Sequence, residues 1–256
     1  MIIFLIIGFS LALANKKKTK TKKNPISIII PFHNEVKNLP KLIESINKLD
    51  YPSGKFEVIL VNDCSNDNSL EWLETNDDTF KFKHFIINLT KKVGKKTAIE
   101  KAMIMVNFDK VVTTDADCIL PINWLKSLDN FIQDKKPNMI VAPVNYKVEN
   151  NFLAQFQLLD FMSMQGCTIG GFGVDFPFLC NGANFAYSKE EFLNLLRLFV
   201  FVLLPELGLL LPSQAIPNPF LLPEIFPLNV LPYTPIHPLS FLGLFFLQHC
   251  IFVNVF

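Results

Sequence analysis

Two aspartates two residues apart, Asp115 and Asp117, follow the apolar residues of a predicted strand. Carboxylate oxygens are preferred ligands of hard divalent cations, which usually keep substrate phosphates in their coordination shell. In open α/β sheets, ligands bind beyond the carboxyl ends of the strands. The pair therefore predicts a site for a divalent metal that carries a diphosphate. An Asp-x-Asp sequence by itself also occurs in ordinary turns, so its neighbours decide the interpretation.

Other polar residues follow the neighbouring predicted strands. His33 and Glu35 lie in the loop after the first strand, Asp63 comes after the second, and Lys95 lies in a lysine-rich segment after the third. The carboxyl ends of parallel strands meet at one edge of a sheet. We therefore expect these side chains to lie close to Asp115 and Asp117.

Buried apolar runs alternate with amphipathic stretches from Pro25 onward. The predicted strands are residues 26–30, 56–61, 83–87, 110–114 and 139–144, and residues 180–187 are predicted to be a turn leading into a short strand. The predicted helices begin near residues 39, 69, 97, 121, 150 and 189. This alternation predicts an α/β fold with a Rossmann-like, mostly parallel sheet flanked by helices. No Gly-x-Gly-x-x-Gly follows the first strand, so we expect no dinucleotide cofactor.

Several helix and loop boundaries have sequence signals. Asn38 is the expected cap of the first helix. Capping-box patterns at 97–100 and 188–191 predict two further helix starts, the first helix reaching about Asn107. The helix that begins near residue 121 is expected to end near Ile132, and the helix that begins near residue 150 is expected to end near Gln165. The glycines of 170–173 predict a flexible loop.

Five segments in this order resemble the family 2 glycosyltransferases, which have the A-type nucleotide-sugar fold. The segments are Ile-Ile-Ile-Pro-Phe-His-Asn-Glu (28–35), Val-Ile-Leu-Val-Asn-Asp-Cys-Ser (58–65), Gly-Lys-Lys-Thr-Ala (94–98), Thr-Asp-Ala-Asp (114–117) and Cys-Asn-Gly-Ala-Asn (180–184). Each is weak singly, but their order and spacing together are specific. The resemblance covers about residues 25–192.

The resemblance implies a nucleotide pocket at the end of the first two strands. Pro31, His33 and Glu35 would line it. Asp63 would accept a hydrogen bond from the base, typically the N–H of uracil, which discriminates against a base without that donor. Lys95 lies where the family often has a basic residue near the nucleotide. The implied donor is a nucleotide-sugar, with UDP-sugars preferred.

The resemblance also assigns the Asp-x-Asp segment. Asp115 and Ala116 would contact the nucleotide-sugar, with Asp115 at the ribose or the metal. Asp117 would hold Mg²⁺ or Mn²⁺ bridging the diphosphate, and the two aspartates are the predicted catalytic residues. The metal would stabilise the charge that develops on the departing nucleoside diphosphate.

Structural roles compete with these assignments. Asp63 could cap the helix that follows it, and Asp115 and Asp117 could belong to a solvated turn. Asn181 and Asn184 are more typical of turns than of ligands. Cys64 and Cys118 are expected to be small apolar fillers.

The composition of the chain indicates which binding partners and which cellular compartment to expect. Half of the 256 residues are apolar and the formal charge is +1, so we expect no nucleic-acid partner. The five cysteines are scattered without a Cys-x-x-Cys pair, which argues against disulfides or a zinc site and fits reduced thiols facing the cytosol.

The N-terminus has an apolar segment, residues 1–14, followed by a basic linker, residues 15–24, with six lysines. Fourteen residues are few for a membrane span, and 11–14 resembles a signal-peptidase site. However, no positive charge precedes the apolar run, and lysines after it favour a cytoplasmic location for that side. We predict a membrane anchor, with the catalytic domain of residues 25–192 facing the cytoplasm, over a cleaved signal.

The C-terminal residues 193–256 depart from the family pattern. An inverting transfer needs a general base, which the family provides in an acidic pair beyond the 180–184 segment. No aspartate follows Asp175, and Glu206 and Glu224 lie in apolar, proline-rich sequence. The tail could be membrane-embedded, a divergent interfacial segment, or an altered reading frame. The abrupt change of composition favours the altered reading frame. Frequent prolines argue against a membrane-embedded tail, because they break spanning helices.

We therefore predict a membrane-associated enzyme that transfers a sugar from a nucleotide-sugar to a glycan or lipid-linked acceptor in cell-wall or polysaccharide synthesis. The alternatives are a catalytically dead or truncated nucleotide-sugar-binding protein, since the base is missing, and a sugar-phosphate nucleotidyltransferase. The last would need a glycine-rich basic loop in place of residues 31–35.

Overall fold

The computed structural model describes residues 6–8, 10, 22–145, 151–176, 182–198 and 250–252. Within these residues, seven strands form one sheet in the order β3-β2-β1-β4-β6-β5-β7. The strands are β1 (Ile26–Phe32), β2 (Phe56–Asn62), β3 (Lys83–Asn88), β4 (Lys110–Thr114), β5 (Met139–Val141), β6 (Asn184–Ser188) and β7 (Cys250–Phe252). The helices used below are α1 (Leu39–Asn47), α2 (Ser69–Thr75), α3 (Lys95–Ala102), α4 (Trp124–Lys135), α5 (Phe152–Gly173) and α6 (Lys189–Leu198).

The sheet is mostly parallel, as predicted. β1 pairs in parallel with both β2 and β4, and β2 pairs in parallel with β3. β6 is antiparallel to its neighbours β4 and β5. All seven residues of β1 and of β2 are buried. These continuous apolar runs are typical of strands covered on both faces.

β1 extends two residues beyond its predicted end at Ile30, so Pro31 is a buried strand residue and not a loop residue. The pairing of β1 with β4 ends at Ile29, whereas its pairing with β2 continues to Phe32. Proline lacks an N–H and is tolerated where a ladder no longer needs that donor. Pro31 lies beyond the last β4 pair and meets this condition.

One predicted cap hydrogen bond and one predicted helix start are wrong. Asn38 lies at the first cap position, but its side chain makes no cap hydrogen bond and instead donates to Glu35 Oε2 at 2.7 Å. α3 begins at Lys95, two residues before the predicted capping box, and ends at Ala102. Gly94 precedes it with φ 86°, a left-handed conformation that glycine adopts without strain. This glycine, rather than Thr97, sets the start of the helix.

The agreement between predicted and observed boundaries differs among the other elements. β4 has its predicted limits, α4 lies three residues later than predicted, and β5 ends at Val141 instead of residue 144. The predicted Ser188 cap is confirmed, because its Oγ accepts a hydrogen bond from the Glu191 N–H at 3.2 Å.

The predicted loop at 170–173 is wrong, because α5 continues through Gly173. Ile169 and Phe172 pack with Val141 of β5 in a small apolar cluster. Their burial holds the glycine-containing end of α5 in helical form against the sheet. Tertiary packing here overrides the low helix propensity of glycine.

The core has one layer on each face of the sheet. α1 and α4 cover one face, where Trp124 is among the largest fully buried side chains. α3 covers the other, with Ala98 and Ala102 against Ile29 and Val111. The two layers fix the strand ends that carry the polar residues.

Glu57 is a fully buried carboxylate in β2, near the edge opposite those strand ends. It accepts hydrogen bonds from Ser27 Oγ at 2.7 Å and from the backbone and side chain of Asn107, both at 2.8 Å. Lys83 Nζ lies 3.4 Å from its Oε2. Burial alone raises the pKa of Glu57, but these hydrogen bonds and the lysine together hold it below the ordinary value.

No helix in the described ranges is long and apolar enough to cross a membrane. Most of the predicted N-terminal anchor and basic linker, and residues 199–249 and 253–256 of the tail, lie outside those ranges. The predicted domain limits stay predictions.

Candidate active site

Three parallel strands bring the predicted polar residues to one edge of the sheet. His33, Asp63 and Asp115 are each the first residue after β1, β2 and β4, and β1 lies between the other two strands. Lys95 is the first residue of α3, which follows β3. The edge therefore has a histidine, two carboxylates and an ammonium group close together, as the sequence predicted.

Asp63 anchors the segment that precedes α3. Only 5% of the residue is exposed. Its two carboxylate oxygens accept hydrogen bonds from the backbone N–H groups of Val93 and Gly94, at 2.7 and 2.8 Å. Asp63 is therefore not the cap of the following helix; Asp67 accepts the Ser69 N–H at the start of α2. The backbone donors keep the Asp63 carboxylate in place at the sheet edge.

The loops after β1 and β2 are joined by hydrogen bonds. His33 Nδ1 lies 2.9 Å from the carbonyl oxygen of Asp63. Asn34 has φ 61°; its N–H donates to Ser65 Oγ at 3.0 Å, and its Oδ1 accepts from the Asn66 N–H at 2.9 Å. The backbone N–H of Glu35 donates to Ser69 Oγ at 2.9 Å. These bonds hold His33 and Glu35 in fixed positions beside Asp63.

Lys95 connects three segments across the site. Its ammonium group forms an ion pair with the Asp115 carboxylate and donates a hydrogen bond to the Gly182 carbonyl at 3.1 Å. The two charged side chains are 43% and 33% exposed, so a ligand can reach both. Carbonyl groups leave no signal in a sequence, so the role of Gly182 could not be predicted.

Asp117 lies exposed at the mouth of the site, two residues beyond Asp115, and the intervening Ala116 is buried. The Cys118 thiol lies 3.9 Å from Asp117 Oδ1. Burial, together with the charges of Asp117 and Asp115, raises the pKa of Cys118. Cys118 is therefore a neutral thiol at neutral pH, as expected of a small filler.

The residues at this edge fit a metal that arrives with a phosphate ligand. The described part of the chain has no group of three or more His, Cys, Asp or Glu side chains placed to hold an ion. Mg²⁺ is commonly bound by one or two carboxylates plus substrate phosphates and water. Asp117 has an exposed carboxylate, and Asp115 has a second one beside Lys95.

Asn184 has a structural role that the sequence did not indicate. It is buried in β6, where its Oδ1 accepts a hydrogen bond from Trp124 Nε1 at 3.0 Å and its Nδ2 donates to the Pro143 carbonyl at 3.1 Å. Asn184 is therefore a strand residue rather than a turn former. The available signal was Trp124, because a buried indole N–H needs an acceptor. Asn181 lies outside the described residues.

The acidic residues of α6 lie at the wrong edge for a general base. Glu190 and Glu191 follow Ser188, which pairs with Lys110 at the start of β4, whereas Asp115 follows the end of that strand. Five strand residues separate the two edges by roughly 13 Å. Glu206 and Glu224 lie outside the described residues.

The sequence profile described as glycosyl transferase family 2 matches residues 27–192. The chain belongs to this family, and it carries a glycosyltransferase domain. The resemblance inferred from the five segments is thus confirmed.

Curated relatives match over part of the chain. A poly-beta-1,6-N-acetyl-D-glucosamine synthase of Staphylococcus aureus is 25% identical over 147 residues, which is 56% of this chain and 34% of the relative. An undecaprenyl-phosphate 4-deoxy-4-formamido-L-arabinose transferase of Proteus mirabilis is 35% identical over 100 residues, 39% of this chain and 31% of the relative. The chain therefore spans about a third of the length of these proteins.

A solved structure with the same fold is a mannosyltransferase from Pyrobaculum calidifontis in complex with GDP-Man and Mn²⁺. The TM-score is 0.58 at 19% identity, and the match covers 81% of this chain and 54% of the other. This similarity supports the predicted A-type fold with its mostly parallel sheet.

Proposed function

We propose that this chain binds a nucleotide-sugar, of the UDP-linked class, at the carboxyl edge of β1, β2 and β4 and transfers its sugar to a glycan or lipid-linked acceptor. The observation that carries the proposal is the meeting of Asp63, Lys95, Asp115 and Asp117 at one edge of a family 2 domain. The names of the two relatives, a polysaccharide synthase and an undecaprenyl-phosphate sugar transferase, support the acceptor class.

Asp63 is the proposed contact for the base, beside Pro31, His33 and Glu35. Each carboxylate oxygen has two lone pairs, and Val93 and Gly94 use one on each. The remaining lone pairs can accept the N–H of uracil. A carboxylate already held by two backbone donors needs no rearrangement to do so.

The diphosphate is proposed to lie between Lys95 and Asp117, with Asp115 and Ala116 beside the ribose. Lys95 would donate to a phosphate oxygen, which replaces part of its contact with Asp115. Asp117, with Asp115, would hold Mg²⁺ or Mn²⁺, and that cation would supply charge stabilisation for the departing nucleoside diphosphate. The metal-bound complex of the structural neighbour supports this choice of ions.

A second candidate function is nucleotide-sugar binding without turnover. It is favoured by the position of Glu190 and Glu191, which begin a helix at the edge away from Asp115. An inverting transfer needs a carboxylate near the acceptor hydroxyl, and the described residues after β6 place none there. The family assignment favours both candidates over a nucleotidyltransferase.

The first experiment is calorimetric titration of UDP into the full chain, with and without Mn²⁺. Metal-dependent binding is expected, and failure to bind under either condition would contradict both candidates. Release of UDP from UDP-N-acetylglucosamine in the presence of membrane extract then separates them. Turnover supports the transferase, whereas binding without turnover supports the second candidate.

We also propose that residues 1–14 anchor the chain in a membrane and that the site faces the cytoplasm. The lysines of residues 15–24 support this orientation. Protease added to intact cells should leave the 25–192 domain uncut and should cleave it after lysis. A mature N-terminus at Asn15 would indicate a cleaved export signal instead.

A further inference from the structure

α5 is apolar on two opposite faces. One face packs on the sheet through Ile169 and Phe172, which lie against Val141 of β5. The opposite face carries Phe152, which is 87% exposed, together with exposed Phe156 and Leu159. Contiguous exposed apolar surface of this kind marks a binding surface.

Phe152, Phe156 and Leu159 belong to one helical seam. The seam consists of residues spaced alternately by four and three positions, which places them on one side of a helix. Its members are Phe152, Phe156, Leu159, Ser163, Gly166, Gly170 and Gly173. The first half of the seam therefore has large apolar side chains, and the second half has small residues.

The C-terminal end of the seam, at Gly170 and Gly173, contacts Gly8 of the N-terminal apolar segment. A Cβ atom built on Gly8 would lie 2.0 Å from the Gly170 carbonyl oxygen, and one on Gly173 would lie 1.8 Å from the Gly8 carbonyl oxygen. Backbones approach this closely only through glycine, a form of packing that is typical of helices in lipid. Ile6 and Ile7, beside Gly8, are exposed like the large half of the seam.

We propose that the α5 seam and residues 6–8 together form one surface that binds an anionic lipid bilayer. The basic linker supports a bilayer as the occupant, because its six lysines directly follow the apolar segment. Apolar side chains beside a lysine cluster complement acyl chains beneath negatively charged headgroups. α5 would then lie in the interface without crossing the membrane.

The surface lies near the candidate active site. Along the chain, α5 follows the carboxyl end of β5. β6 follows α5 and starts at Asn184, which pairs with Thr114 at the end of β4. The end of β5 and the start of β6 therefore both lie at the edge that carries Asp115. A bilayer on the α5 seam would place this edge close to lipid. The inference concerns binding to lipid and does not depend on turnover.

The test uses the full chain with Phe156→Trp and vesicles whose phospholipids carry brominated acyl chains. Phe156 is 60% exposed, and Ile104→Trp, at a site 55% exposed in the turn after α3, is the matched control. With vesicles of phosphatidylcholine and phosphatidylglycerol, the added Phe156→Trp fluorescence should shift to the blue and be quenched. The Ile104→Trp signal should not change. Vesicles of phosphatidylcholine alone should give weaker quenching.

A second variant set measures binding itself. The triple variant Phe152→Ser, Phe156→Ser and Leu159→Ser should reduce the vesicle partition coefficient by about tenfold or more, because three apolar side chains no longer enter lipid. Ile104→Ser should have no effect, and the circular dichroism of all variants should match the original chain because each site is exposed.

Three results would overturn the proposal. Unquenched Phe156→Trp would show that the seam is not in lipid. Unchanged partition of the triple variant would show that the N-terminal segment binds alone. Phe156→Trp emission that is already blue-shifted without vesicles would show that the chain, or a second copy if the shift depends on concentration, covers the seam.

Discussion

Lys95 and Asp115 form an ion pair across the mouth of the candidate site, although the first begins α3 and the second follows β4. The pair keeps a positive charge where the proposed diphosphate would lie. The positive charge of Lys95 also balances the negative charge of Asp115 before a ligand binds. The first prediction tests this arrangement.

Lys95→Met should weaken binding of UDP with Mn²⁺ by about tenfold, because a charge-assisted hydrogen bond to phosphate is lost. The free energy of unfolding should change by less than about 1 kcal/mol, since both partners are partly exposed. Calorimetric titration and urea unfolding measure the two effects. Lys92→Met, at an exposed position in the same segment, is the control. Equal affinity of the two variants would remove Lys95 from the site.

Asp63→Asn should lower both stability and nucleotide affinity. The amide can accept from only one of the Val93 and Gly94 donors, so we expect a loss of about 1–3 kcal/mol in the free energy of unfolding. UDP affinity should fall about tenfold or more, because the base loses a charged acceptor.

Asp67→Asn is the matched control for Asp63→Asn. The Asp67 carboxylate also accepts two backbone N–H groups, from Ser69 and Val36 at 3.0 and 3.2 Å. This variant should lose stability without losing affinity for UDP. If both variants lose affinity equally, Asp63 acts only by holding the loop.

Glu57 predicts a specific loss of stability in acid. Its pKa is lowered in the folded chain, so its contribution is fully present above the ordinary value of 4.5 and decreases as the pH falls toward the folded pKa. Urea unfolding at pH 7 and pH 4 should therefore show a smaller pH dependence for Glu57→Gln than for the original chain. The variant should itself cost about 1–3 kcal/mol at pH 7, because an amide NH2 group cannot accept the hydrogen bond that one Glu57 carboxylate oxygen accepts from Asn107. An unchanged pH dependence would contradict the assignment.

The strands and the site edge could be predicted from sequence, because buried parallel strands read as continuous apolar runs followed by polar residues. β4 is the clearest case, and Asp115 follows it directly. Glycine positions were harder, since Gly94 sets a helix start and Gly170 lies inside α5. A sequence pattern cannot distinguish a glycine that ends a helix from one that permits close packing.

The contacts that complete the site could not be predicted. Asp63 is held by backbone N–H groups thirty residues away, and Lys95 contacts a carbonyl 87 residues away. Backbone groups are the same in every residue, so only the folded chain shows which ones face a side chain. The Trp124–Asn184 hydrogen bond is similarly a product of strand order.

The central claim is that Asp117 binds a metal together with a nucleoside diphosphate, and the most direct measurement is the effect of Mn²⁺ on UDP affinity. The original chain should bind UDP about tenfold or more tightly with Mn²⁺ than without it, since the cation bridges carboxylate and diphosphate. Asp117→Asn should abolish this difference, while Asp109→Asn, an exposed aspartate just before β4, should retain it. Mn²⁺ enhancement that persists in Asp117→Asn, or that is absent from the original chain, would contradict the account.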